Sequence, residues 1–151
     1  MLEIGNDVQK FLNAISQINK DDFNFSVLSL FPKECCEYSS MMLARYLIEE
    51  CGYAASKIKM ITGQFRDDYQ SKHLWLNVLG MTVDITCGQF KNSPKNIIIE
   101  QVSAWHDSFI ILDSSKPIIN FESYLDDYEE QALEYDYSMI IQNIHQNLTE
   151  F

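Results

Sequence analysis

The chain has 151 residues, of which 46% are hydrophobic and 13% aromatic, enough to build the core of one domain over residues 1–151. Its formal net charge is −11, and such an acidic surface repels the phosphates of nucleic acids and anionic lipid headgroups. These totals exclude a disordered chain and argue against nucleic acid and membrane partners. They leave a basic protein or peptide as the partner that charge favours.

Two helices are predicted in the first third of the chain. Apolar residues recur at helical spacing over residues 6–19, which indicates an amphipathic helix. A second helix is expected from Cys36 onward, with Phe31-Pro32 as a turn before it and Gly52 as its stop signal. The N-terminus lacks a signal-peptide layout and no apolar run could span a bilayer, so we expect a cytoplasmic protein with reduced thiols.

Strand-like segments fill the middle of the chain, and a long helix is predicted at its end. The candidate strands are 57–65, 73–78, 81–86, 97–102 and 108–112. Gly63 interrupts the first of them, and Leu79-Gly80 reads as a tight hairpin turn. The final helix, from about Glu122, should bury one face made of Leu125, Tyr128, Leu133, Ile140, Ile144 and Leu148. This order of elements is typical of an α+β domain.

Cys36 is the candidate nucleophile. It is the first residue of a predicted helix. The free N–H groups and the dipole of the first turn stabilise the thiolate form of a cysteine at this position. Cys35 is interpreted as a packing residue, and Cys51 and Cys87 as buried thiols. A zinc site is less favoured, because the chain has no C-x-x-C pair and adjacent cysteines do not easily point at one ion. We therefore expect no metal and no cofactor.

The predicted hairpin supplies a base and an acid for this thiol. If Leu79-Gly80 is a two-residue turn, His73 and Asp84 share one face of the sheet as diagonal neighbours, within reach of a hydrogen bond. A register slip of one residue would separate them. A thiol, an imidazole base and an orienting carboxylate are the parts of nucleophilic acyl transfer. Cys36, His73 and Asp84 are thus the predicted catalytic triad.

This order of residues resembles the transglutaminase-like and papain-like cysteine enzymes, and the detailed pattern resembles a group of small bacterial proteins. The matching residues are Phe31-Pro32, Cys36, Leu43, Leu47, Gly52, Gly63, His73-Leu-Trp-Leu-Asn77, Val83-Asp84-Ile-Thr86, Gln89-Phe90 and Ser103-Ala-Trp-His106. The match covers roughly residues 31–109 and leaves both terminal helices outside. Glu37-Tyr38 replace the small Gly-Asp pair expected after the cysteine, and this change could raise the pKa of the thiol.

The resemblance implies a papain-like or transglutaminase-like fold, with a Cys-bearing helix packed on an antiparallel sheet and additional helices at both termini. It implies cysteine-dependent acyl transfer on a protein, peptide or carboxamide substrate, by a peptidase, amidase, deamidase or transglutaminase. Further oxyanion or cleft candidates are Gln64, Glu37, Trp75 and His106. The alternative is a binding module of partner-recognition or immunity type on the same fold, which the acidic charge and Glu37-Tyr38 favour. Sequence does not determine the substrate, the acyl acceptor or the oligomeric state.

Overall fold

The computed structural model describes residues 3–67 and 71–149, with side chains up to residue 147. The helices and strands are α1 (Ile4–Gln17), α2 (Cys36–Glu49), β1 (Ile58–Phe65), β2 (Lys72–Val78), β3 (Met81–Asp84), β4 (Ile98–Glu100), β5 (Phe109–Ser115) and α3 (Asp127–Thr149). Short 3-10 helices occupy Lys20–Asp22, Ser26–Leu30, Ala55–Lys57, Cys87–Gln89, His106–Ser108 and Phe121–Ser123. The α+β class is confirmed. None of the helices in these ranges is long and apolar enough to cross a membrane.

The strands form one antiparallel sheet in the order β4-β3-β2-β1-β5. Val78 pairs with Met81 across the β2–β3 turn, which is the predicted register. Leu79 and Gly80 both have positive φ angles, 53° and 83°, as the tight I′ type of hairpin turn requires. Because this turn fixes the register, it also fixes which side chains of β2 and β3 share a face.

One face of the sheet carries the hydrophobic core. α2 packs on β2, and α1 packs on both α2 and α3. The hairpin residues that alternate with His73 and Asp84 meet this core: Leu76, Val83 and Ile85 are buried in it, and Leu74 packs against it. The apolar stripe of α1 is buried as predicted, through Val8, Phe11, Leu12 and Ile15.

The predicted buried face of the C-terminal helix is correct in its main part and wrong at its start. Leu133, Ile140 and Ile144 are buried, whereas Tyr128 is 80% exposed. At 100° per residue, Tyr128 lies about 140° around the helix from Leu133, so it points away from the stripe. Leu148 lies outside the residues whose side chains are described.

A second cluster, made of aromatic rings, covers the opposite face of the sheet. Its members are Phe65, His73, Trp75, Phe90, Trp105, His106 and Phe109, with neighbouring ring centroids 4.1 to 6.1 Å apart. Gly63 of β1 pairs with His73, and a Cβ atom at this position would lie 2.7 Å from the Trp75 ring and 3.0 Å from Phe109. The glycine is therefore required by the close approach of these rings.

Gly63→Ala is expected to lower the free energy of unfolding by about 1–3 kcal/mol, because the added methyl group must displace the Trp75 ring. The matched control is Gly5→Ala in α1, where a Cβ atom meets nothing within 4 Å. Urea unfolding followed by circular dichroism measures both variants. Equal stability of Gly63→Ala and the wild-type chain would contradict the packing described here.

Candidate active site

The carboxylate of Asp84, at the end of β3, is fully buried and accepts hydrogen bonds on both oxygens. Oδ2 lies 2.6 Å from Nε2 of His73 and 2.7 Å from Nε2 of His106. Oδ1 accepts the backbone N–H of Thr86 at 3.0 Å. The hydrogen bond expected between His73 and Asp84 from the hairpin register is thus observed, and the carboxylate has a second imidazole as an additional partner.

His106 belongs to a short polar chain that ends on Asp84. The hydroxyl of Ser103 lies 2.6 Å from Nδ1 of His106 and also accepts the backbone N–H of that residue. Since Nε2 of His106 donates to the carboxylate, Nδ1 accepts the hydroxyl proton, and Ser103 selects this tautomer. The sequence placed His106 only as a cleft candidate. Its contact with Asp84 spans 22 residues, and no local pattern predicts it.

The buried charges of the site shift each other's pKa. Burial alone would raise the pKa of Asp84, but hydrogen bonds from His106 and His73 lower it to about 2. Burial would likewise lower the pKa of His73, but hydrogen bonding with Asp84 and with the Cys36 thiol raises it to about 9. At neutral pH His73 is therefore an imidazolium paired with a carboxylate, although its side chain is fully enclosed.

Cys36 is the second side chain that acts on the His73 ring. The charge and hydrogen-bonding capacity of its sulfur raise the pKa of His73, so the thiol lies near the imidazole. Nδ1 of His73 is buried and makes no hydrogen bond of normal geometry within the described residues, so the thiol contact is loose. Looseness of this kind is common in catalytic pairs without substrate. Cys36 begins α2 and is half-buried, whereas the side chain of His73 is fully enclosed.

The other three cysteines are placed differently. Cys35 precedes α2 and is fully buried, and burial with the neighbouring Cys36 raises its pKa to about 12. It does not contribute to the pKa of His73, so the packing role predicted for it agrees with its position. Cys87 is buried as expected, with its pKa raised to about 11 mainly by burial. Cys51 is only half-buried, against the hydroxyl of Tyr46.

The remaining candidates surround the site at different distances. Trp75 packs near both histidines, with ring centroids 5.7 Å from His73 and 4.6 Å from His106. The Glu37 carboxylate accepts the hydroxyl of Tyr124, and burial raises its pKa. Gln64 lies on β1 opposite Lys72 and is partly exposed. The structure thus brings Trp75 and His106 to the buried cluster and leaves Glu37 and Gln64 outside it.

Asp84 and the two histidines on it are also possible metal ligands by residue type. His73, Asp84 and His106 offer ligand atoms within 4.8 Å of one another. Two nitrogens at about 2.0 Å from a tetrahedral zinc ion lie about 3.3 Å apart, and other ligand pairs are similarly spaced. The carboxylate oxygen instead lies 2.6 and 2.7 Å from the two nitrogens, which are hydrogen-bond lengths. The arrangement fits a hydrogen-bonded triad better than a metal centre.

Two concavities of the surface lie next to the site. A cavity of about 440 Å³ is lined mainly by apolar residues that include Phe31, Ile85 and Ile97. Another, of about 620 Å³, is lined by Trp75, Ser103 and His106 on the aromatic face of the sheet. Cys36 lines neither of these two cavities.

Comparison of the chain with protein-family models, with curated proteins and with solved structures gives no match.

Asp84→Asn should lower the pKa of His73 from about 9 toward or below its ordinary value of 6.5, because burial is then no longer opposed by the carboxylate. His73 is protonated more readily in the folded chain than in the unfolded chain. Its charge therefore stabilises the fold fully below about pH 6.5, and this contribution is lost as the pH rises through 9. NMR titration of the three histidines measures the shift.

Two comparisons make that titration specific. His145, whose side chain is 58% exposed and contacts Glu50, is the internal reference, and its NMR signals should be the same in wild type and Asp84→Asn. Cys36→Ala should lower the pKa of His73 by a smaller amount, since it removes the weaker of the two partners. A His73 titration that is unchanged in both variants would contradict the buried ion pair.

Proposed function

We propose that this protein is a cysteine-dependent acyl-transfer enzyme with Cys36 as nucleophile, His73 as general base and acid, and Asp84 as the group that orients His73. The observation that carries the proposal is the His73 ring, which is held on Asp84 through Nε2 while its unpaired Nδ1 lies beside a half-exposed thiol at a helix start. A Cys-bearing helix on an antiparallel sheet is also the arrangement of papain-like and transglutaminase-like enzymes, and we propose that fold family for the chain.

The chemistry follows from the position of the protons. The Cys36 sulfur, as thiolate beside the His73 imidazolium, attacks the carbonyl carbon of a peptide or carboxamide, and the carbonyl electron pair moves onto oxygen. When that pair returns, the C–N bond breaks and the amine leaves with the proton of His73 Nδ1. A thioester on Cys36 remains. Water or an amine then attacks it, with His73 taking the proton of the incoming group, and the thiolate is released.

His106 acts in this cycle as a positioning residue. His73 changes from charged to neutral during each turnover, which removes one charge partner of the buried Asp84 carboxylate. The hydrogen bond from His106 lowers the pKa of Asp84 at least as strongly as the bond from His73, and it persists through the cycle. The carboxylate therefore stays ionised and keeps the Nε2–H tautomer of His73, which leaves Nδ1 free for the thiol.

A second candidate function is a binding module without turnover. The observation that favours it concerns Glu37, the residue that follows Cys36 in the chain. Its carboxylate accepts a hydrogen bond from the hydroxyl of Tyr124. Burial raises the pKa of Glu37, but an ionised carboxylate beside the thiol still opposes formation of a thiolate. This candidate predicts a folded site with an unreactive Cys36.

Thiol reactivity separates the two candidates. With iodoacetamide near pH 7, Cys36 should be alkylated much faster than Cys35, Cys51 or Cys87, as mass spectrometry of peptides will show. With p-nitrophenyl acetate, the chain should release p-nitrophenol and carry the acetyl group on Cys36. His73→Ala should slow acylation by on the order of 100-fold or more, and Asp84→Asn should slow it less.

The control for the nucleophile is its neighbour in the chain. Cys35→Ala should leave the acylation rate nearly unchanged, because its side chain is enclosed and cannot meet a substrate. Cys36→Ala should abolish acylation with little loss of stability. Equal alkylation rates at Cys36 and Cys51, both half-buried, would contradict the enzyme proposal and support the binding module.

We further propose that the substrate is a protein or peptide with basic residues, since the chain carries 22 acidic and 11 basic side chains. A lysine-containing peptide p-nitrophenyl ester should acylate Cys36 faster than the glutamate-containing counterpart, and the difference should shrink as salt rises. An equal rate for both esters at low salt would contradict this preference. Tight binding of nucleic acid that persists at moderate salt would also contradict the preference for a basic partner.

A further inference from the structure

The side-chain amide of Gln89 is the second unusual polar group near Cys36. Within the described residues, two buried side-chain atoms lack a hydrogen-bond partner, Nδ1 of His73 and Nε2 of Gln89. Leaving a buried donor unpaired costs about 1–3 kcal/mol. The first of these atoms belongs to the proposed general base, and the second also calls for a functional reason.

The other end of the same amide is held in place. Oε1 of Gln89 accepts the backbone N–H of Glu34 at 3.4 Å, two residues before the nucleophile. Glu34 has a φ angle of 60°, a conformation that a residue with a side chain adopts rarely and that the surrounding structure must support. Because an N–H group must meet oxygen, this bond sets the orientation of the amide. Nε2 is thereby the end left without a partner.

The neighbouring residues place this amide near the site. Gln89 ends the 3-10 helix Cys87–Gln89, which begins three residues after Asp84, the last residue of β3. The next residue, Phe90, lies edge-on to His73 with ring centroids 4.9 Å apart. Gln89 thus belongs to the segment that connects the carboxylate to a ring on the imidazole, and its amide oxygen reaches the segment that leads into α2.

We propose that Nε2 of Gln89 donates a hydrogen bond to the oxyanion that forms when Cys36 attacks a carbonyl group, together with the backbone N–H of Cys36. The inference rests on the proposed acyl transfer and adds one group to it. As the S–C bond forms, the carbonyl electron pair becomes a full negative charge on oxygen, and an unpaired amide donor stabilises that charge without breaking a bond made beforehand. The Cys36 N–H is one of the free donors of the first turn of α2.

The test compares two reactions of the same sulfur. Acylation by p-nitrophenyl acetate passes through an oxyanion, whereas alkylation by iodoacetamide displaces iodide at a saturated carbon and forms none. Gln89→Met keeps the volume of the side chain and removes the donor. It should slow acylation of Cys36 by on the order of 100-fold while leaving its alkylation nearly unchanged. The control is Gln101→Met, at an exposed position, which should change neither rate.

Each result has a defined meaning. An equal loss in both reactions would show that Gln89 only supports the structure, and it would overturn the inference, as would no loss of acylation. A selective loss in Gln64→Met but not in Gln89→Met would assign the donor to Gln64 and also overturn it. If the wild-type chain is not acylated on Cys36 at all, the proposed function fails and the inference fails with it. Thermal unfolding of each variant identifies any change in folding.

Discussion

The burial of the Asp84 carboxylate is the constraint on which the site depends. An ionised carboxylate enclosed by protein is strongly unfavourable unless hydrogen bonds and opposite charge replace its water. Two imidazoles and a backbone N–H do so here. The imidazole of His73 comes from β2, the N–H of Thr86 from the residues just after β3, and the imidazole of His106 from the segment before β5. Replacement of the carboxylate therefore affects the histidines on both sides of it.

The sheet separates stability from chemistry by using its faces differently. One face packs against α2 through aliphatic residues such as Leu76 and Val83, which belong to the hydrophobic core. The other face holds the aromatic rings around His73, which exclude water from the ion pair and so strengthen it. Gly63 is part of this separation, because its missing side chain lets the Trp75 ring approach β1 closely.

The electrostatics of the site differ in sign from those of the whole molecule. The chain carries a net charge of −11, yet the group that meets the thiol is an imidazolium held by a buried carboxylate. The local positive charge and the free N–H groups at the start of α2 favour a thiolate, whereas Glu37 opposes it. Whether the chain is an enzyme or a binding module depends on which of these effects is larger at the Cys36 sulfur.

The amino-acid sequence by itself determined the features that depend on residues close together in the chain. Alternation along β2 and β3 and a two-residue turn at Leu79-Gly80 set the register that pairs His73 with Asp84, 11 residues apart. Helical spacing and stop signals located α2 with Cys36 at its first residue. Backbone geometry decides such relations, and backbone geometry follows from local residue types.

Only the tertiary structure decided the relations that depend on packing between distant segments. His106 reaches Asp84 across 22 residues and Gln89 reaches Glu34 across 55, with no periodicity that connects them. The exposed position of Tyr128 likewise depends on which side of α3 meets α1, because a ring of that size suits either a buried or an exposed place. Such contacts arise when the whole chain closes around its core and every buried polar group must find a partner.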